Sequence, residues 1–169
     1  EEKRLAEREK KLAVFRKKHR HAVAVIIGNK DYKGRTPDVD YARNDADAFR
    51  NFVINYLGYR DGNIIDLRDV TLSDLIATFG TSDNHRGRLF DYVRIGKSDV
   101  TVFYSGHGVP GLKSRKGYLL PVDADPERVE LNGYPLDTLY KNLGKVSARS
   151  MTVYLDSCFS GDSAKGALV

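Results

Sequence analysis

Cys158 is the only cysteine in a chain of 169 residues. It stands in Tyr154-Leu155-Asp156-Ser157-Cys158-Phe159-Ser160-Gly161, directly behind an apolar run. A thiol attacks carbon only as the thiolate, and with an ordinary pKa of about 8.5 it needs a neighbouring base or cation to ionise. Four histidines are available. His19 and His21 flank a charged terminal stretch, and His85 lies in Ser82-Asp83-Asn84-His85-Arg86-Gly87. His107 alone sits between glycines behind a second apolar run, in Tyr104-Ser105-Gly106-His107-Gly108. Taken singly, a cysteine at a strand end reads as core filling and Gly-His-Gly as a turn. Taken together they supply a nucleophile and its base.

The elements that must bring them together are legible as alternating strands and helices. His21 to Ile27, closed by Gly28-Asn29, is the pattern of a buried strand. Asp38 to Tyr56 carries Ala42, Ala46, Phe49 and Val53 at helical spacing, with Gly58 as a stop. Asn63–Leu67 reads as a short strand, and Thr71–Phe79 as a helix opened by a Thr cap. Asn84–Ile95 is expected to form a further helix. Asp99–Tyr104 is a third strand, Lys116–Val122 a short strand or hairpin, Pro135–Leu143 a helix, and Ser150–Leu155 the last buried strand. Such alternation predicts one α/β domain, a mostly parallel sheet with helices on both faces. Functional groups in such sheets gather beyond the carboxyl ends of the strands. Gly28–Asp31, Ser105–Gly108 and Asp156–Gly161 all fall there.

Charge and composition narrow the function classes. Residues 1–20 hold nine Lys or Arg against four Glu, which accounts for the whole net charge of +5. The remaining 149 residues are neutral, so the basic balance is that of a charged helical linker or tail rather than of a nucleic-acid or lipid patch. Residues 21–169 are then the globular domain that holds both motifs, and neither nucleic acid nor membrane is expected as a partner. No apolar stretch approaches the roughly 18 residues of a membrane span. The chain begins with Glu and ends eight residues past Gly161, as a piece of a longer polypeptide would; a cytoplasmic setting is the expectation. One cysteine excludes an internal disulfide, and the sequence has no zinc-ligand spacing.

The two motifs, in this order, about 50 residues apart and each behind an apolar strand, resemble the histidine and cysteine motifs of the caspase-like cysteine peptidase clan, in its metacaspase and bacterial caspase-homologue branch. The resemblance covers roughly His21 to Gly161, the large-subunit-like portion of that fold without its carboxyl-terminal part. It implies that Cys158 attacks the scissile carbonyl, that His107 assists as base and acid, and that the backbone N–H groups of Gly108 and Cys158 hold the oxyanion. It further implies that Asp45, Ser105 and Asp156 line the pocket for the residue preceding the cut bond (P1). Asp45 is reached through Ala42-Arg43-Asn44-Asp45-Ala46. Two aspartates in one pocket select Arg or Lys and reject an acidic side chain. Read on their own, these residues keep other roles: Gly108 a turn glycine, Asp45 a residue placed for its helix dipole, Asp156 a cap.

Calcium-dependent relatives carry an acidic cluster after the histidine motif. Here that loop, Val109 to Gly117, is basic and offers no carboxylate, leaving Asp123, Asp125, Glu127 and Glu130 as a weak alternative cluster. No metal or organic cofactor is expected. Gly28 to Thr36 follows a strand as a phosphate loop would, but it has five intervening residues instead of four and Arg in place of Lys. The expected partner is a peptide or protein with a basic P1 residue. Self-processing is expected at Arg115, Lys116 or Lys165, and the sequence leaves the oligomeric state open. The competing class is a catalytically silent caspase-like scaffold.

Overall fold

In a computed structural model, the structure describes residues 1–114 and 116–159, with the backbone of 162–163 and 166–167. Helix α1 (Glu2–Lys18) leads into strand β1 (Val23–Gly28) and helix α2 (Ala42–Asn55). Strand β2 (Ile64–Arg68) is followed by α3 (Leu72–Phe79) and α4 (Arg88–Tyr92). Strands β3 (Asp99–Ser105), β4 (Gly108–Pro110) and β5 (Gly117–Leu119) come next. Then come α5 (Val129–Asn132), β6 (Tyr134–Pro135), α6 (Leu136–Leu143), β7 (Ser150–Asp156), and the pair β8 (Asp162–Ser163) and β9 (Gly166–Ala167).

The central sheet runs β2-β1-β3-β7 with every pair parallel. Alternation along β1 sorts its side chains between two cores. Ala22, Ala24 and Ile26 pack with Ala46 and Val53 of α2 and with Phe103. Val23, Val25 and Ile27 face the other way, onto Leu75 and Phe79 of α3, Leu89 of α4, and Leu139 and Leu143 of α6. The expected α/β architecture, a mostly parallel sheet covered on both faces, is the one observed. The small antiparallel sheet β4-β5-β6 caps the carboxyl edge. Its two-residue strand β6 had no signal in the sequence.

Helix ends differ from expectation where side chains are used elsewhere. The helix expected from Asp38 starts at Ala42, because Asp38 Oδ1 accepts from the Tyr32 amide at 3.0 Å and the Val39 amide donates to Lys30 O at 3.1 Å. These bonds close the loop before α2. The helix expected over Asn84–Ile95 shrinks to Arg88–Tyr92. Thr81 and Asn84 close a turn, and Gly87 is pressed against the Thr78 carbonyl, where a Cβ would lie 2.5 Å away. Thr71 caps α3 as expected: Asp74 N donates to its hydroxyl and its own amide donates to the Asp74 carboxylate.

Residues 2–18 form one helix, and it rests on the body of the domain. Leu12 is buried, the Arg8 guanidinium lies 5.2 Å over the Tyr56 ring, and a Cβ on Gly58 would meet the Arg16 amide at 2.7 Å. His19, just beyond the helix, places Nδ1 3.0 Å from Asp99 Oδ2 at the start of β3. Arg149 and Ser150 also hydrogen-bond Asp99, and together with His19 they hold its carboxyl far below the usual range despite partial burial.

Candidate active site

The site is assembled by register. Ser105 and Asp156 are paired residues at the ends of the parallel strands β3 and β7, and the chain continues from both in step. His107 and Cys158 are therefore each two residues beyond a registered pair. The Gly106 amide donates to Asp156 O at 3.3 Å, and the Ser157 hydroxyl donates to Gly106 O at 2.8 Å. These two bonds lock the histidine and cysteine segments side by side.

Every part of His107 except one ring nitrogen is held. Its amide donates to the Tyr32 hydroxyl at 2.8 Å. Its carbonyl accepts from the Tyr104 hydroxyl at 2.8 Å and from the Leu120 amide at 3.0 Å. Its ring packs against the Tyr32 ring with centroids 4.7 Å apart, and Nε2 lies 2.7 Å from Pro37 O. A carbonyl only accepts, so this bond fixes the proton on Nε2 and leaves Nδ1 as the free basic nitrogen. Burial lowers the imidazole pKa, opposed by the Pro37 bond and the nearby Asp38. The ring is neutral at physiological pH, the form that accepts a proton. Burial also pushes the Tyr32 phenol up to about 12, so it serves as a neutral hydrogen-bonding group.

The loop carrying Pro37 has its own anchor. Asp69 sits in the left-handed region (φ 52°) and its Oδ1 accepts from the amides of Lys30 at 2.7 Å and Asp31 at 2.9 Å. Arg43 of α2 bridges Asp69 and Asp31. Partial burial raises the Asp69 pKa, but Arg43 and the two amides outweigh that and leave it below its ordinary value.

Along β7, Met151, Val153, Leu155 and then Phe159 pack on the core, while Tyr154, Asp156 and Cys158 take the other phase and are exposed. The thiol is open to solvent rather than a core filler. Gly108 has no left-handed φ, so turn geometry does not require it. What requires it is close approach: a Cβ there would collide with the Phe159 ring and lie 2.6 Å from Ser157 Oγ. Because the Leu120 amide donates to His107 O, the next pair in this antiparallel ladder, Gly108 and Leu119, is a non-hydrogen-bonded one. The Gly108 N–H therefore points out of the ladder.

Asp45 and Asp156 line one open pocket of about 560 Å³, whose floor and sides are Phe49, Phe52, Phe103 and Tyr154. Ser105 is buried beside it, with its hydroxyl 3.4 Å from Asp156 Oδ2. All six residues singled out in the sequence thus fall on the carboxyl edge of the sheet. Pro37 and Tyr32 had no recognisable signal in the sequence. A backbone carbonyl has no side-chain signature, and Tyr32 showed only as one aromatic in a polar loop. Ser160 and Gly161 of the cysteine motif, and Arg115 and Lys165, lie outside the described residues. Lys116 is exposed and pairs with Asp137 at 2.7 Å.

Among the described residues, no three His, Cys, Asp or Glu side chains gather to hold a metal. The acidic residues after β5 are occupied locally. Asp123 accepts from the Leu72 amide, Asp125 from that of Glu127, and Glu130 from those of Lys113 and Ser114. The family model described as the caspase domain matches residues 21–169. A comparison with curated proteins finds no match.

Proposed function

The chain belongs to the caspase-domain family of cysteine peptidases, and on that premise we propose that it is an endopeptidase of the metacaspase branch, cutting after Arg or Lys through Cys158 and His107. The observation that supports the dyad is the shared register: two parallel strands deliver the thiol and the imidazole at equal distance past the Ser105–Asp156 pair. In this reading His107 Nδ1 takes the thiol proton and Cys158 Sγ attacks the carbonyl carbon. The C–N bond breaks as the imidazolium protonates the leaving amine, and water then hydrolyses the thioester with His107 again as base. The free Gly108 N–H, with that of Cys158, binds the oxyanion. Asp45 and Asp156, with Ser105 against the latter, supply the negative charge for a guanidinium or ammonium, and Phe49 and Tyr154 line its path.

The test is turnover of fluorogenic peptides that differ only at P1 by the full-length protein and its Cys158→Ala variant, with and without chelator. Cleavage after Arg or Lys that disappears in the variant is the expected result. Equal turnover by both proteins removes the peptidase reading, and a preference for Asp at P1 removes the assignment of the pocket.

A further inference from the structure

The edge of the sheet opposite the candidate active site carries a surface that peptide hydrolysis does not use. Residues 94–97 form a tight turn closed by the Lys97 amide on Arg94 O at 2.9 Å, with Gly96 at φ 66°. Positive φ at the third position is the type II arrangement. The turn is pinned from both sides, by the Arg94 amide on Ser98 Oγ at 2.9 Å and the Gly96 amide on Ser147 O at 2.8 Å. Its apex is Ile95, which is 79% exposed. A rigid turn thus holds an aliphatic side chain out in water between two cations.

More cations surround it. Arg20 donates to His21 Nε2 at 2.9 Å. Slight desolvation lowers the His21 pKa, and Arg94, Arg20, Lys97 and Arg60 lie close enough to lower it further. Arg60 continues into a cleft of about 610 Å³ lined also by Arg16, Lys17 and Arg20. Several arginines elsewhere are paired with carboxylates: Arg43 with Asp31 and Asp69, Arg50 with Asp61 and Asp66, Arg68 with Asp47 and Asp66, and Arg149 with Asp99, while Arg86 and Arg88 lie over the rings of Phe90 and Tyr92. The one carboxylate lining that cleft, Asp61, is engaged by Arg50, which leaves Arg16, Lys17, Arg20 and Arg60 in excess there. The basic terminal helix is therefore one side of a folded cationic surface completed by residues far away in sequence.

We propose that this surface is a docking site for an anionic membrane, with Ile95 entering the headgroup layer and the surrounding Arg and Lys side chains binding lipid phosphates. Charge complementarity requires a polyanion, and the apex selects among polyanions. An aliphatic side chain gains from the acyl–headgroup boundary and gains nothing against a phosphate backbone. Binding to single-stranded nucleic acid calls for exposed aromatic faces, whereas Tyr59, the aromatic ring of the cleft, is buried. Four of the six cations are arginines, whose forked guanidinium groups suit phosphate oxygens. Docking by this edge directs Cys158 and His107 away from the bilayer, because they lie at the opposite ends of the same parallel strands. The proposal departs from the expectation that residues 1–20 are a charged helical linker or tail with no membrane partner, and it is independent of whether the protein is a peptidase.

The experiment is co-sedimentation of the full-length protein with phosphatidylcholine vesicles containing graded fractions of phosphatidylglycerol, at low and at physiological salt. Binding should rise with the anionic fraction, fall with salt, and weaken about fivefold for each of Arg94→Gln and Lys97→Gln. Ile95→Ser, which leaves the charge unchanged, should weaken it several-fold while Tm and peptide turnover hold. If Ile95→Ser lowers Tm, Ile95→Asn and the two Gln variants carry the test. Absence of vesicle binding at low salt overturns the proposal. So does an Ile95→Ser variant that binds as tightly as the parent, or a short RNA or acidic peptide that displaces the vesicles and binds with the same affinity to parent and Ile95→Ser.

Discussion

The Nε2 atom of His107 lies 2.7 Å from the carbonyl oxygen of Pro37, seventy residues earlier in the chain. This bond settles which nitrogen carries the proton, and burial settles the charge state, since it lowers the pKa from its ordinary value of 6.5. The acid limb of kcat/KM attributable to this histidine is therefore expected below pH 6.5. The linkage has a definite sign. Between the lowered folded value and 6.5 the unfolded chain binds a proton that the folded chain does not, so stability falls as pH drops through that window. Thermal unfolding of Cys158→Ala across this range checks it, and His107→Gln should flatten the slope. An acid limb above 6.5 would contradict the burial argument.

Tyr32 holds His107 twice, through its hydroxyl to the amide and through its ring to the imidazole. Tyr32→Phe keeps the ring contact and leaves the buried His107 N–H without an acceptor. The cost should be about 1–3 kcal/mol of stability, the penalty for an unsatisfied buried donor. As a positioning residue it should affect kcat rather than KM and alter the pH profile. Urea unfolding and the kcat–KM split together test this; a loss of stability with an unchanged kcat and pH profile would make Tyr32 merely structural.

Gly108→Ala puts a methyl group where the Phe159 ring and the Ser157 hydroxyl already are. Phe159 is partly buried and packs against the core, which restricts how far its ring can move. The Cys158 segment must shift instead, and with it the proposed oxyanion donors. A fall in kcat of about a hundredfold or more is expected, the usual consequence of losing one such donor. Retention of near-normal kcat with a folded Gly108→Ala protein would remove Gly108 from the oxyanion hole.

How much of this was written in the sequence depends on how far apart the interacting residues lie. Buried strands announce themselves as apolar runs, so β1, β3 and β7, and the polar clusters at their ends, were legible. Asp45 was reached only by motif resemblance, because nothing local says that the first turn of α2 meets Asp156. The missing end of the helix expected over Asn84–Ile95 reflects a tertiary contact, Gly87 against Thr78, that overrides local pattern. Residues 2–18 form the helix their composition favours, but that Leu12 is buried and Arg8 lies over Tyr56 depends on residues more than forty positions away and had no local signal.

Asp45→Asn and Asp156→Asn each remove one negative charge from the proposed pocket and leave its shape. Loss of one charge-assisted contact to a guanidinium corresponds to about 1.5–3 kcal/mol, or roughly ten- to a hundredfold in kcat/KM for an Arg substrate. The two losses should be less than additive, since both carboxylates serve a single cation. A neutral P1 residue such as Gln should be affected much less, which separates specificity from general damage. Equal losses for Arg and Gln substrates would show that the aspartates support the fold of the strand ends instead of selecting the side chain.

The Asp69–Arg43–Asp31 bridge makes a last prediction about the loop that carries Pro37. Asp69 holds two loop amides and Arg43 at once, in a left-handed conformation that Asn also tolerates. Asp69→Asn preserves the conformation and an acceptor for the amides but removes the charge that pairs with Arg43. Because the folded Asp69 pKa is below its ordinary value, its contribution is present at neutral pH and lost as pH falls through the folded value. At neutral pH the variant should lose about 1 kcal/mol or less in global stability, as expected for a partly exposed pair. Local looseness should exceed this, so amide exchange of Lys30 and Asp31 should quicken more than that of β1, and kcat should fall because the Pro37 carbonyl no longer holds His107 in one orientation. Unchanged exchange at Lys30 and Asp31 would place the anchor of this loop elsewhere.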